Sequence, residues 1–238
     1  MPQLGLGSSI SRGGVLSGFE NKYSLDFDGV DDYVRISSEI TFSGAFTVSF
    51  WINGSSQTDD YKRLLNSSSV NDTNIILADT DNRLYIRIAG GWHCQINDVL
   101  TGNWYHIVYT RDASDNLKGY KNAGTPTTDS KTGDYKFGDM GGYGAANNWE
   151  GKMDEVAVWN TDLDADAVTA IYNSGTPIAL DADSGNYSNS SNLQGWWRMG
   201  DGTEAASGNT IYDMEGSKDG TFTDGDASNI QYSTDVPS

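Results

Sequence analysis

One cysteine, Cys94, stands in a chain of 238 residues, so an internal disulfide framework is excluded. Glutamate is nearly as scarce, at 6 of the 33 acidic residues against 27 aspartates. Glutamate favours helices, whereas aspartate favours caps and turns. With 28 glycines and 13 tyrosines, that imbalance argues against a helical protein and for one of strands and turns. The 15 basic residues form no block, and the formal charge is −18. Neutralising phosphates needs clustered Lys and Arg, so no nucleic-acid partner is expected, and anionic membrane surfaces are disfavoured. Divalent cations fit better. No apolar run approaches the ~18 residues of a bilayer span, so no membrane insertion is expected. The first eighteen residues carry a single late Arg12 and no apolar h-region, and do not read as a signal peptide.

What is present is a set of short alternating runs between turn signals. Phe46–Ile52 places Phe46, Val48, Phe50 and Ile52 on one face. Arg83–Ile88 places Leu84, Ile86 and Ile88 inward and both arginines outward. Trp104–Arg111 is apolar on both faces, as a central strand is. Further strands are predicted at Asn74–Ala78, Trp92–Ile96, Leu117–Lys121, Lys152–Trp159 and Leu193–Met199. Many short strands between Gly, Asn and Asp turns indicate an all-β sandwich or barrel. One helix is predicted over Ala165–Asn173, with Asp164 as N-cap, Leu163 and Val168 as a hydrophobic staple, and Gly175 past its end. Residues 1–19 read as a Gly/Ser-rich arm, 20–178 as the sandwich, 179–192 as a linker, and 193–238 as a segment completing the sandwich.

These runs resemble, in order, the laminin-G-like modules of the concanavalin-A-like lectin/glucanase superfamily. The segments are Leu25–Val34, Phe46–Trp51, Gly102–Asp112, Gly119–Asn122, Trp149–Asn160 and Ile171–Gly175, covering roughly residues 22–178. The resemblance implies a jelly-roll sandwich of two antiparallel sheets with the helix packed at one edge. In such modules a Trp-containing strand and an Asp-Gly turn usually come first. Here their look-alikes, Trp196–Gly202 and Asp213–Phe222, come last, as in a circularly permuted module. Permutation would pair Trp196 and Trp197 with the strand from Tyr23; a truncated second module would form a separate lobe.

Strict alternation in Lys152–Trp159 places Asp154 on the face of Val156 and Val158, a carboxylate among core residues that needs a cation or several donors. The resemblance implies that an aspartate in this strand helps hold one structural calcium, with Asp28 and Asp213 as helpers. The alternative is a carboxylate capping a loop through backbone N–H groups. The spaced Asp162, Asp164 and Asp166 lack the glycine and final glutamate of an EF-hand and read as helix capping. Adjacent strand residues point to opposite faces, so Glu150, Asp154 and Glu155 lack the spacing of a catalytic pair and read as a solvated glutamate plus the possible metal ligand. Cys94 and His106 are expected in the core. Trp92, Trp149, Tyr143 and Tyr61 lie in or beside loops, where a lectin would stack a sugar.

Function is expected to be non-enzymatic. The first expectation is a virion surface protein, a phage capsid-decoration or tail-fibre subunit. Its arm residues Leu4, Leu6, Ile10, Val15 and Leu16 would bind other virion proteins in an oligomeric assembly, and its module would meet a host-surface glycan. The alternatives are an exported bacterial carbohydrate-binding or adhesion protein at the cell surface, and an endo-glycosidase of the same fold.

Overall fold

The computed structural model describes residues 19–54, 61–69, 74–78, 82–142, 147–204, 206–223 and 231–238. The arm residues Leu4, Leu6, Ile10, Val15 and Leu16, and Tyr143, lie outside them. The first strands are β1 (Ser24–Asp28), β2 (Tyr33–Phe42), β3 (Phe46–Asn53), β4 (Lys62–Asn66), β5 (Asn74–Ala78) and β6 (Arg83–Ile88). There follow β7 (Gly91–Asn97), β8 (Trp104–Arg111), β9 (Asn116–Lys121), β10 (Thr127–Ser130), β11 (Tyr135–Met140) and β12 (Glu150–Trp159). Beyond helix α1 (Ala165–Tyr172) come β13 (Leu193–Trp197), β14 (Thr210–Ile211), β15 (Gly220–Thr223) and β16 (Tyr232–Ser233).

They form two antiparallel sheets. The first runs β10-β9-β8-β3-β12-β1-β16, with β13 also on β12; the second runs β14-β15-β2-β11-β4-β5-β6-β7. The alternation read from the sequence sets the core between them. Phe46, Val48, Phe50 and Ile52 of β3 face Leu84, Ile86 and Ile88 of β6 in one cluster of buried side chains. Burying each such side chain contributes ~1.5–3 kcal/mol, which drives the sheets together.

A second cluster covers the outer face of the first sheet. Leu163, Val168 and Ile171 from α1 and its approach pack with Val108, Tyr120, Ala157, Trp159 and Trp196. Asp164 caps the helix by accepting from the Ala167 N–H at 2.8 Å, and Asn173 ends it in the left-handed conformation. The helix has eight residues, too few to stand without this packing. The stretch 179–192, expected to be a linker, belongs to the same layer. Its few apolar side chains fix it: Leu180 and Tyr187 are buried, and the Trp159 Nε1–H donates to the Tyr187 hydroxyl at 3.0 Å.

The C-terminal segment enters both sheets: β13 pairs with β12, β15 with β2 and β16 with β1. Trp196 and Trp197 pair with Ala157 and Val156, not with the strand from Tyr23. Strands β1 and β13 instead lie end to end along β12, β1 beside Glu150–Met153 and β13 beside Val156–Trp159. No separate lobe forms from β13 to β16.

Candidate functional site

Alternation in β6 turns Arg83, Tyr85 and Arg87 to the outer face of the second sheet. Edge strand β7 carries a bulge, with Ile96 opposite Leu84 but His93 opposite Ile86. The extra residue is absorbed at Cys94, which takes φ 48° and stays buried. Trp92 then lies opposite Arg87 on the outer face. Tyr61, just before β4, reaches the same place.

The result is an exposed aromatic patch. Tyr61 is 49% and Trp92 39% exposed, with ring centroids 5.3 Å apart and planes tilted by 43°. Tyr85 meets the indole edge-on at 5.4 Å, and the Arg87 guanidinium carbon lies 5.7 Å from its centroid. The Tyr85 hydroxyl donates to Gln95 Oε1 at 2.8 Å, and Gln95 Nε2 donates to Asn97 Oδ1 at 2.6 Å. Neighbours thus hold the indole in place while part of it faces water. Exposed aromatic faces beside fixed amide and hydroxyl groups can stack on the apolar face of a sugar ring and hydrogen-bond its hydroxyls. Tyr85, Gln95 and Asn97 were not singled out from the sequence, although alternation alone turns Tyr85 outward.

Trp149, expected at such a surface, is instead wholly buried in the inter-sheet core. Its ring lies against Gly54 and Gly151, where an added Cβ would collide with it. Those glycines leave the room that the indole fills.

The three carboxylates expected to share a metal do not converge. Asp28 stands opposite Glu150, four residues along β12 from Asp154, or about 13 Å at the rise of a strand. Asp213 accepts backbone N–H groups from Trp196, Glu215, Ser217 and Lys218 at 2.9, 3.0, 3.4 and 3.1 Å. That is the loop-capping alternative. Asp28 clusters with Asp31 and Asp32 instead, their ligand oxygens within 4.8 Å of one another, the one group of three such side chains among the described residues. Two of the three also cap the turn: Asp28 accepts from the Val30 N–H at 2.7 Å, and Asp32 from the Asp28 N–H at 3.0 Å.

Asp154 and Glu155 correct the strict alternation. A bulge between Asp154 and Ala157, with Glu155 at φ 48°, leaves Met153, Val156 and Val158 on the core face. Asp154 lies opposite Trp51, whose ring stacks with His106 at 4.7 Å and with Tyr172 of α1 at 5.8 Å, so it belongs to the helix-side face. Glu155 shares that face, near Trp51, His106 and Ile171. Both are buried, and neither is solvated. Asp154 accepts from Asn21 Nδ2 at 2.9 Å and from the Glu155 N–H at 2.8 Å. Glu155 accepts from Trp196 Nε1 at 2.6 Å and Arg198 Nε at 3.0 Å. Loss of water and the charge of Glu155 raise the Asp154 pKa well above the usual aspartate range. Loss of water also raises that of Glu155, against the pull of Arg198.

The family model for the concanavalin A-like lectin/glucanases superfamily matches residues 28–169. A solved structure from Bacteroides ovatus, of a protein with a proposed carbohydrate-binding role, is similar at a TM-score of 0.65 and 19% identity. The match covers 92% of this chain, which spans 62% of that protein. The heptameric SAP-like pentraxin of Limulus polyphemus is similar at a TM-score of 0.50 and 14% identity, over 64% of this chain and 82% of that one. No curated protein matches the sequence.

Proposed function

Because this chain belongs to the concanavalin A-like lectin/glucanase superfamily, we propose that it is a non-catalytic glycan-binding module whose ligand stacks on Trp92 and Tyr61. The observation that carries this reading is the pair of exposed rings 5.3 Å apart, fixed by Tyr85 and Arg87 on a rigid strand pair. A pre-set aromatic surface binds a sugar without first ordering its own side chains. The Bacteroides ovatus protein of like fold has a proposed carbohydrate-binding role, which is the role assigned to this chain.

The non-catalytic part rests on Asp154 and Glu155, the buried carboxylate pair of β12. Both are buried beneath Asn21, Trp196 and Arg198, so neither can reach a scissile bond. The module is assigned to an outer surface, that of a phage particle or of a bacterial cell, where a glycan is met.

The test is a titration with neutral oligosaccharides, followed by tryptophan fluorescence. Trp92→Ala and Tyr61→Ala should each weaken binding about tenfold, the loss of one stacked ring. Unchanged affinity in both variants would overturn the reading. Release of reducing ends from laminarin-like or agar-like polymers, abolished by Glu155→Gln, would overturn its non-catalytic part.

A further inference from the structure

A different concavity lies on the other sheet. The helix layer rests against Ala157 and Trp159 in the later half of β12. Over its first half, from Glu150 to Lys152, the outer face forms one wall of a cleft of about 490 Å³. Asp26, Asp28, Asn53, Glu150, Lys152 and Gln231 supply its polar lining.

Strand geometry places these groups. Leu25 and Phe27 of β1 enter the core, so Asp26 and Asp28 take the outer face. The register sets Asp26 opposite Lys152 and Asp28 opposite Glu150, with Asn53 flanking Lys152 from β3. Directly opposed side chains have Cβ atoms ~4.5–5.5 Å apart, close enough for Asp28 and Glu150 to grip one small cation together. The Lys152 ammonium is engaged elsewhere, 3.8 Å from Asp26 and 3.4 Å from Asp235. Asp235 also accepts from Trp104 Nε1 at 2.9 Å and Asn53 Nδ2 at 3.4 Å. The lining therefore holds three carboxylates to one ammonium, with two amides that can both donate and accept.

We propose that this cleft binds an amino sugar bearing a protonated primary amine, the ammonium held between Asp28 and Glu150 and the hydroxyls met by Asn53 and Gln231. The volume lies in the range of small-ligand sites, ~300–1,000 Å³, and far exceeds that of a lone metal ion. The charge of the lining repels uronic or sulfated sugars. A polyamine would satisfy the carboxylates but leave the amides without hydroxyl partners. The site uses no residue of the aromatic patch and stands independently of the function proposed above.

The experiment is calorimetric titration of the full chain at mildly acidic pH with a glucosamine tetramer, its N-acetylated counterpart, and spermidine. The glucosamine tetramer should bind about tenfold more tightly than the other two organic ligands. Asp28→Asn and Glu150→Gln should each remove about tenfold, and Trp92→Ala nothing. Glu150→Gln is decisive should Asp28→Asn loosen the turn, which an unchanged thermal midpoint for Glu150→Gln confirms. Equal binding of the N-acetylated tetramer or of spermidine would overturn the proposal. So would full affinity in Glu150→Gln, or loss of glucosamine binding in Trp92→Ala. Trp92→Ala that retains neutral-glycan binding but leaves the glucosamine result intact would overturn only the aromatic site.

Discussion

At Glu155 the backbone turns to φ 48°, and two neighbouring carboxylates come to lie on one buried face. A group whose folded pKa is raised binds its proton more tightly in the folded chain than in the unfolded one. Its stabilising contribution is complete below the ordinary aspartate range and is lost as pH rises through the raised value. Asp112 works in the opposite direction. Hydrogen bonds from the Asn116 side chain and backbone hold it below the usual range, so its contribution is present at neutral pH and lost on acidification. The thermal midpoint should therefore peak at mildly acidic pH and fall toward alkaline pH. In Asp154→Asn the alkaline fall should flatten, because the buried repulsion between the two carboxylates is gone. A steeper alkaline fall in the variant would refute this account. His106 takes no part at these pH values: burial lowers its pKa to about 3, so it stays neutral beside Ser49, 2.7 Å away.

At the scale of elements, the central strands and the helix were legible because their patterns are long and obey one period. Phe46–Ile52, Arg83–Ile88 and Trp104–Arg111 fall inside observed strands, and α1 starts where its cap is written. The bulges in β7 and β12 were not legible. An inserted residue reverses the alternation beyond it, and neither Cys94 nor Glu155 is of a type that advertises positive φ. Strands β14 and β16 have two residues each, too short for any period. Of the candidate site, Trp92 and Tyr61 were readable as loop aromatics, but their meeting depends on the β7 bulge. The cation implied by the family resemblance is best tested in the turn of Asp28, Asp31 and Asp32. Calcium should raise the thermal midpoint by mass action, with the gain kept in Asp154→Asn and lost in Asp31→Asn. Asp213→Ala should cost about 1–3 kcal/mol through its orphaned N–H groups and leave the calcium response unchanged. A calcium response that disappears in Asp154→Asn would return the metal to β12.

For the whole molecule, the first described residues are already part of the fold. Phe19 stacks on Trp196 at 6.3 Å with the Arg198 guanidinium 4.2 Å from its centroid, and Arg198 Nη2 donates to the Glu20 carbonyl at 2.6 Å. Asp201 accepts the N–H groups of Lys22 and Tyr23 at 2.5 and 2.8 Å. Deleting residues 2–18 should leave the thermal midpoint nearly unchanged while abolishing attachment to a carrier. Extending the deletion through Tyr23 should lower the midpoint by several degrees, since ~1–2 kcal/mol shifts a domain of this size by about 2–4 °C per kcal/mol. A large drop from the shorter deletion would mean that the arm packs on its own sandwich, and attachment through it would be abandoned.

The end-to-end meeting of β1 and β13 along β12 also decides how the module would carry tension. A pull on the arm arrives at Phe19 to Tyr23, where Arg198 and Asp201 join the chain just past β13 to the segment leading into β1. From there the load passes to β12, an inner strand clasped by β3 on its other side along most of its length. An edge strand taking the same pull would peel away one hydrogen bond at a time. Here several bonds and a stacked ring must yield together before β1 can begin to leave the sheet. Resistance to force is a matter of the unfolding rate rather than of equilibrium stability. The joint at Arg198 would therefore set how long the module stays folded under such a pull.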